Sequence, residues 1–137
     1  MFKYIFEWNG FKMFKKYKSV LVSGCAGSGK TTFLKKYIDY MLSEDDVHLV
    51  IVDPKQVELF EYKNKEKVIY IAGNFEHMVL EVLKPIIENR MVEEYPKAVI
   101  IVDEFAELTL NKDCLKFFEY MFVNKEKLNL ELVLTFQ

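Results

Sequence analysis

Residues 24–31 read Gly-Cys-Ala-Gly-Ser-Gly-Lys-Thr and satisfy the spacing GxxxxGK[ST] through Gly24, Gly29, Lys30 and Thr31. The apolar run Val20-Leu21-Val22 stands just before this segment. After it, Phe33, Leu34, Tyr37, Ile38, Met41 and Leu42 recur at helical spacing, which predicts a helix over about Lys30 to Leu42. Strand, glycine loop and helix are the context in which such a loop holds phosphate. The glycines let the backbone curl until its N–H groups converge on phosphate oxygens. The Lys30 ammonium reaches the outer phosphates, the Thr31 hydroxyl serves Mg²⁺, and the helix turns its positive end to the anion. A nucleoside triphosphate is therefore expected on Gly24, Cys25, Ala26, Gly27, Ser28, Gly29, Lys30, Thr31 and Thr32.

A chain of 137 residues suits one domain. A composition 51% hydrophobic and 29% charged describes a folded soluble protein. The net charge of −2 gives no global basic field, but Lys3, Lys12, Lys15, Lys16 and Lys18 face only Glu7 among the first 18 residues. That basic arm is either an ordinary solvated face or a phosphate contact. Cys25 and Cys114 form neither a metal-ligand spacing nor a disulfide framework, so a reducing, cytoplasmic location is expected. No apolar run approaches the roughly 18 residues of a membrane span.

Apolar runs alternate with helical patterns along the chain, the mark of an α/β domain with a parallel sheet. Two part-alternating runs around Asn9-Gly10 predict an N-terminal β-hairpin. Further strands are expected at Leu49 to Val52, Val68 to Ile71, Ala98 to Val102 and Leu130 to Leu134. A long helical pattern from Phe75 to Met91 contains Pro85, which should kink it or begin a new segment. A helix over about Asp113 to Val123 should turn Leu115, Phe118, Met121 and Phe122 inward. The expected organisation is a single unit, with residues 1–18 as hairpin and basic arm and 19–137 as the nucleotide-binding core.

A second motif lies in Ala98-Val-Ile-Ile-Val-Asp103-Glu104. Five apolar residues in a row suit a central parallel strand covered on both faces. The acids at its end resemble a Walker B strand: Asp103 would hold magnesium through water and Glu104 would act as general base on the attacking water. A polar residue at the end of Leu132-Val-Leu-Thr135-Phe136-Gln137 would lie beside the γ-phosphate and report its presence. Rival P-loop classes are disfavoured. Asn111-Lys112-Asp113-Cys114 and Asn124-Lys125-Glu126-Lys127 lack the final Asp of a guanine-reading motif. A small-molecule phosphotransferase clamps phosphoryl groups with several arginines, whereas Arg90 is the one arginine here.

These segments resemble the FtsK/SpoIIIE DNA translocases. Ile51-Val-Asp-Pro-Lys-Gln-Val-Glu-Leu59 is similar to that family's apolar-Asp-Pro-Lys-x-x-Glu-Leu block. Residues 98–108, AVIIVDEFAEL, resemble its Walker B segment, with Glu107 in place of an Asp. LVLTFQ, residues 132–137, resembles its Leu-Ala-Thr-Gln sensor strand. The resemblance implies a RecA-like three-layer sandwich with a mainly parallel central sheet, ATP hydrolysis with Mg²⁺, and a hexameric ring around double-stranded DNA. Carried over, Gly29, Lys30 and Thr31 bind phosphate and magnesium, Asp103 and Glu104 serve hydrolysis, and Gln137 senses the γ-phosphate. Asp53 and Lys55 would lie near the nucleotide or a subunit boundary.

Two departures qualify that implication. The stretch ahead of the last strand, residues 124–131, carries no arginine, so a neighbour's arginine cannot come from it. The family continues past its sensor glutamine, whereas this sequence stops at Gln137. The glycine-loop strand should then lack a neighbour on one flank unless the hairpin covers it. The expectation is an FtsK/SpoIIIE-like ATPase domain. A truncated nucleotide-binding module that joins a partner ATPase ring is the alternative, with a phosphotransferase behind both.

Overall fold

The computed structural model describes residues 3–8, 11–16, 19–24, 28–90 and 96–136, and before residue 19 only the backbone. Seven strands form one sheet: β1 (Lys3–Trp8), β2 (Phe11–Lys16), β3 (Ser19–Ser23), β4 (Val47–Val52), β5 (Val68–Ile71), β6 (Lys97–Val102) and β7 (Leu130–Phe136). Their spatial order is β1-β2-β3-β7-β6-β4-β5. The five strands from β3 to β5 run parallel to their neighbours, as the alternating pattern predicts.

Helices cover both faces, and Ala98 to Val102 of β6 is accordingly apolar at every position. On β6 the alternation divides the run cleanly: Val99 and Ile101 join one core, while Ala98, Ile100 and Val102 join the other. The first core is packed by α1 (Lys30–Leu42), where Leu34, Ile38 and Met41 are buried and Phe33, Tyr37 and Leu42 flank them. The second core is packed by the helices that lead into β6 and β7.

The hairpin strands extend the same sheet. β2 pairs antiparallel with β3, placing Phe14 opposite Leu21, and β1 pairs antiparallel with β2. The flank of β3 that could have lacked a neighbour is therefore paired, which removes an exposed edge beside the glycine loop. The Asn9-Gly10 turn lies outside the described residues.

The Phe75 to Met91 pattern folds as a π-helical stretch, His77–Leu83, that runs into α2 (Lys84–Asn89). Pro85 has no N–H to give the carbonyl four residues earlier. The wider turns ahead of it shift the pairing by one residue, so the chain continues without a break. Met91 lies outside the described residues.

A short helix, α3 (Phe105–Leu108), precedes α4 (Lys112–Asn124). The inward set of α4 differs from the expectation: Cys114, Phe117, Phe118 and Met121 are buried, while Leu115 and Phe122 are half-buried. The cause is the start of the helix. Asn111 accepts hydrogen bonds from the Asp113 and Cys114 amides at 3.0 Å each, and from that cap the spacing 114, 117, 118, 121 faces the sheet. Among the described residues no helix is long and apolar enough to cross a membrane.

Candidate nucleotide and hydrolysis site

Parallel strands end together, so residues that follow β3, β4, β6 and β7 meet along one rim of the sheet. The ladder continues past the strand ends on that rim. The Asp53 amide donates to the Ile71 carbonyl at 2.9 Å, and the Asp103 amide donates to the Val52 carbonyl at 3.1 Å. Gly29, with φ of 94°, turns the loop into α1. Only glycine takes that left-handed conformation without strain.

Lys30 is buried, and its ammonium donates to the Phe136 carbonyl at 3.0 Å. The Gly24 amide donates to the same carbonyl at 3.1 Å. One acceptor at the end of β7 thus holds the loop's entrance and its lysine. Cys25, Ala26, Gly27 and Gln137 lie outside the described residues.

Asp103 and Glu104 follow β6, and both are buried. Thr135, fully buried in β7, ties them together: its hydroxyl donates to Asp103 Oδ1 at 2.6 Å and accepts from the Glu104 amide at 3.2 Å. Glu104 sits in the left-handed region, at φ 60° and ψ 46°. A side chain there costs about 1–3 kcal/mol, which the Thr135 bond and the adjoining helix start offset. Lys55, from the turn after β4, places its ammonium 3.1 Å from Glu104 Oε1. The hydrogen bond to Glu104, then that residue's charge, holds the Lys55 ammonium above the usual lysine range.

Asp53 is fully buried beneath the same rim, where it accepts from the Tyr70 hydroxyl at 2.5 Å and the Gln56 amide at 3.1 Å. Burial, then the bond to Asp53, pushes the Tyr70 hydroxyl up, so it stays a donor. Lys55 thus lies beside the candidate acid Glu104, and Asp53 lies beneath the same rim. Three contacts were missed from sequence: Thr135, Glu58 and Tyr70. Thr135 and Glu58 stood inside quoted blocks as a strand residue and a loop acid, and only the strand order shows what they meet. The Thr31 hydroxyl donates to Glu58 Oε2 at 2.5 Å.

The AAA domain family model matches residues 15–137. The chain belongs to the AAA domain family. No curated protein matches it by sequence. Two solved structures share the AAA domain's fold, both of EccC from Thermomonospora curvata. One is EccC (ATPases 2 and 3) in complex with a signal sequence peptide, with a TM-score of 0.71 and 13% identity over 91% of this chain. The other is the cytoplasmic domain of the type VII secretion ATPase EccC, with a TM-score of 0.69 and 13% identity over 91% of this chain. This chain spans 26% and 17% of their respective lengths.

Membership makes the chain a P-loop ATPase domain, which implies ATP and usually Mg²⁺. The residues present fit both. Ser28 Oγ is buried at the start of α1 with no hydrogen-bond partner among the described residues, a donor suited to a phosphate oxygen. Asp53, Asp103 and Glu104 crowd the rim. Burial pushes the Asp103 carboxyl up, the bond from Thr135 opposes this, and the charge of Glu104 adds to it. A divalent cation would reverse that balance by favouring the carboxylate. Among the described residues no cluster of three or more His, Cys, Asp or Glu forms a metal cage.

Thr135→Val should remove the hydroxyl that bridges both acids while preserving side-chain shape. Asp103 would lose its buried donor, at a cost of about 1–3 kcal/mol. Urea unfolding should show the loss, and ATP turnover should fall by more than the stability change accounts for. An unchanged midpoint with unchanged turnover would remove Thr135 from the site.

Proposed function

We propose that this AAA domain hydrolyses ATP as part of an FtsK/SpoIIIE-type motor that moves double-stranded DNA through a hexameric ring. One observation carries the reading: Lys30, Asp103, Glu104 and the Asp53–Lys55 turn, drawn from separate blocks of sequence, adjoin on one rim around Thr135. The blocks occur in the order loop, DPKQVEL, VDEFAEL, LVLTFQ.

Backbone N–H groups of residues 24–29, with Ser28, Thr31 and Thr32 at the helix start, receive the phosphates. Lys30 exchanges the Phe136 carbonyl for phosphate oxygen. Thr31 and Asp103 would hold Mg²⁺, which would supply charge neutralisation on the phosphates. Glu104 accepts a proton from water as the water oxygen bonds to the γ-phosphorus and the β–γ bridging bond breaks, giving ADP and inorganic phosphate. Gln137, one residue beyond the carbonyl that Lys30 touches, contacts the γ-phosphate.

Such motors draw a further cation from a neighbouring subunit; Arg90 is buried here and engaged within its own chain. Its guanidinium donates to the Leu128 and Pro96 carbonyls, ahead of β7 and β6, on the rim opposite the site. A lysine or a partner chain fills that role in this reading.

A second reading is favoured by the likeness to a secretion ATPase: the motor's cargo is a polypeptide. Phosphate release, measured with duplex DNA and separately with an unfolded polypeptide, separates the two. Turnover raised severalfold by duplex DNA supports the DNA motor, and stimulation by polypeptide alone replaces it. ATP binding with neither stimulation leaves a nucleotide-binding module. Phosphorylation of an added nucleoside would restore the phosphotransferase.

A further inference from the structure

The segment after β4 is fastened along α1 by three side chains. Glu58 meets Thr31, Glu61 lies 2.7 Å from the Lys35 ammonium, and the Tyr62 hydroxyl donates to Asp39 Oδ1 at 3.1 Å. Thr31, Lys35 and Asp39 are four residues apart, so they form one stripe on the helix. Leu59 and Tyr62 are buried beneath the same segment, and the Lys35 carbonyl lies 3.3 Å from the Tyr62 hydroxyl. At its other end the segment is pinned by Asp53, which holds the Gln56 amide. Glu58 therefore reaches Thr31 from a fixed support.

A threonine hydroxyl has one proton and two lone pairs. When the proton is committed to Glu58, both lone pairs are left to accept a cation. The bond from the Thr31 hydroxyl to the Glu58 carboxylate has an ionised acceptor and sets the rotation of the hydroxyl. We propose that Glu58 is a positioning residue for the magnesium site, orienting the Thr31 hydroxyl without itself ligating the metal. Partners of this kind commonly change metal affinity by about 10–100-fold.

The inference rests on the nucleotide reading above, so the test measures binding without turnover. A fluorescent non-hydrolysable ATP analogue is titrated with Mg²⁺ in the native chain, Glu58→Ala and Glu58→Gln. The Mg²⁺ concentration for half-maximal binding should rise about 10-fold in Glu58→Ala. Glu58→Gln, which keeps an oxygen acceptor, should recover most of that loss. Affinity for the metal-free analogue should stay the same in all three. A native chain that binds no analogue with Mg²⁺ defeats the nucleotide reading itself. A native chain that binds it, with the same Mg²⁺ requirement in Glu58→Ala, overturns the role of Glu58 alone. Equal losses in both variants, with or without metal, would also overturn it, because they mark a structural residue.

Discussion

Glu104→Gln is expected to cut ATP turnover by about 10²–10⁴-fold while nucleotide binding survives. The amide has the size of the acid and keeps an oxygen for the Lys55 ammonium, which lies 3.1 Å from Glu104 Oε1. It also leaves in place the main-chain bond from residue 104 to Thr135. What it cannot do is take a proton from water. Phosphate release at saturating ATP, set beside binding of a fluorescent analogue, isolates that one property. Turnover within threefold of the native rate would show that another group activates the water. A parallel loss of binding would show that the variant had disturbed the rim.

The second large effect falls on stability. Ile100 is fully buried at the middle of β6, where it pairs across to Val50 on one side and Leu132 on the other. Ile100→Ala deletes three buried carbons in a strand flanked on both sides, so neighbours have little room to close the void. A loss of about 2–5 kcal/mol is expected, a large part of what holds a small domain folded. Urea unfolding checks it: the midpoint should fall with the slope unchanged. A loss below about 1 kcal/mol would mean that the core collapses around the site more readily than its burial suggests.

The parallel core was legible because its strands are short apolar runs and its helices carry a clear stripe. Ala98 to Val102 announced a strand covered on both faces, and the structure buries all five residues. The pairing of β1 with β2 had its signal in the turn chemistry of residues 9 and 10, whereas the placement of β2 against β3 was left open. Alternation cannot say which strand a hairpin will join, because that depends on which edge is left open. The π-helical stretch before Pro85 was readable as a disturbance but not as a type, since proline states what bond is missing and not how the chain compensates. At the site, residue type and local spacing pointed to Lys30, Asp103 and Glu104. Thr135 and Glu58 escaped because their roles are set by contact: Thr135 lies 32 residues from Asp103, and Glu58 lies 27 from Thr31.

The strand order also has a consequence for how the protein comes into being on a ribosome. β7 is last among the seven strands in chain order, yet it stands fourth in the sheet, between β3 and β6. Until it emerges, the nascent chain holds two separate pieces, the β1-β2-β3 meander and the β6-β4-β5 group, with a strand-wide gap between them. Val20 waits for Val133, and Leu21 for Leu134. Closing so long a loop is slow, because chain entropy is lost before any contact repays it. The gap falls where Thr135 and Phe136 anchor the acids and the loop lysine. The loop lysine and Asp103 therefore reach the contacts seen here only once β7 has taken its place.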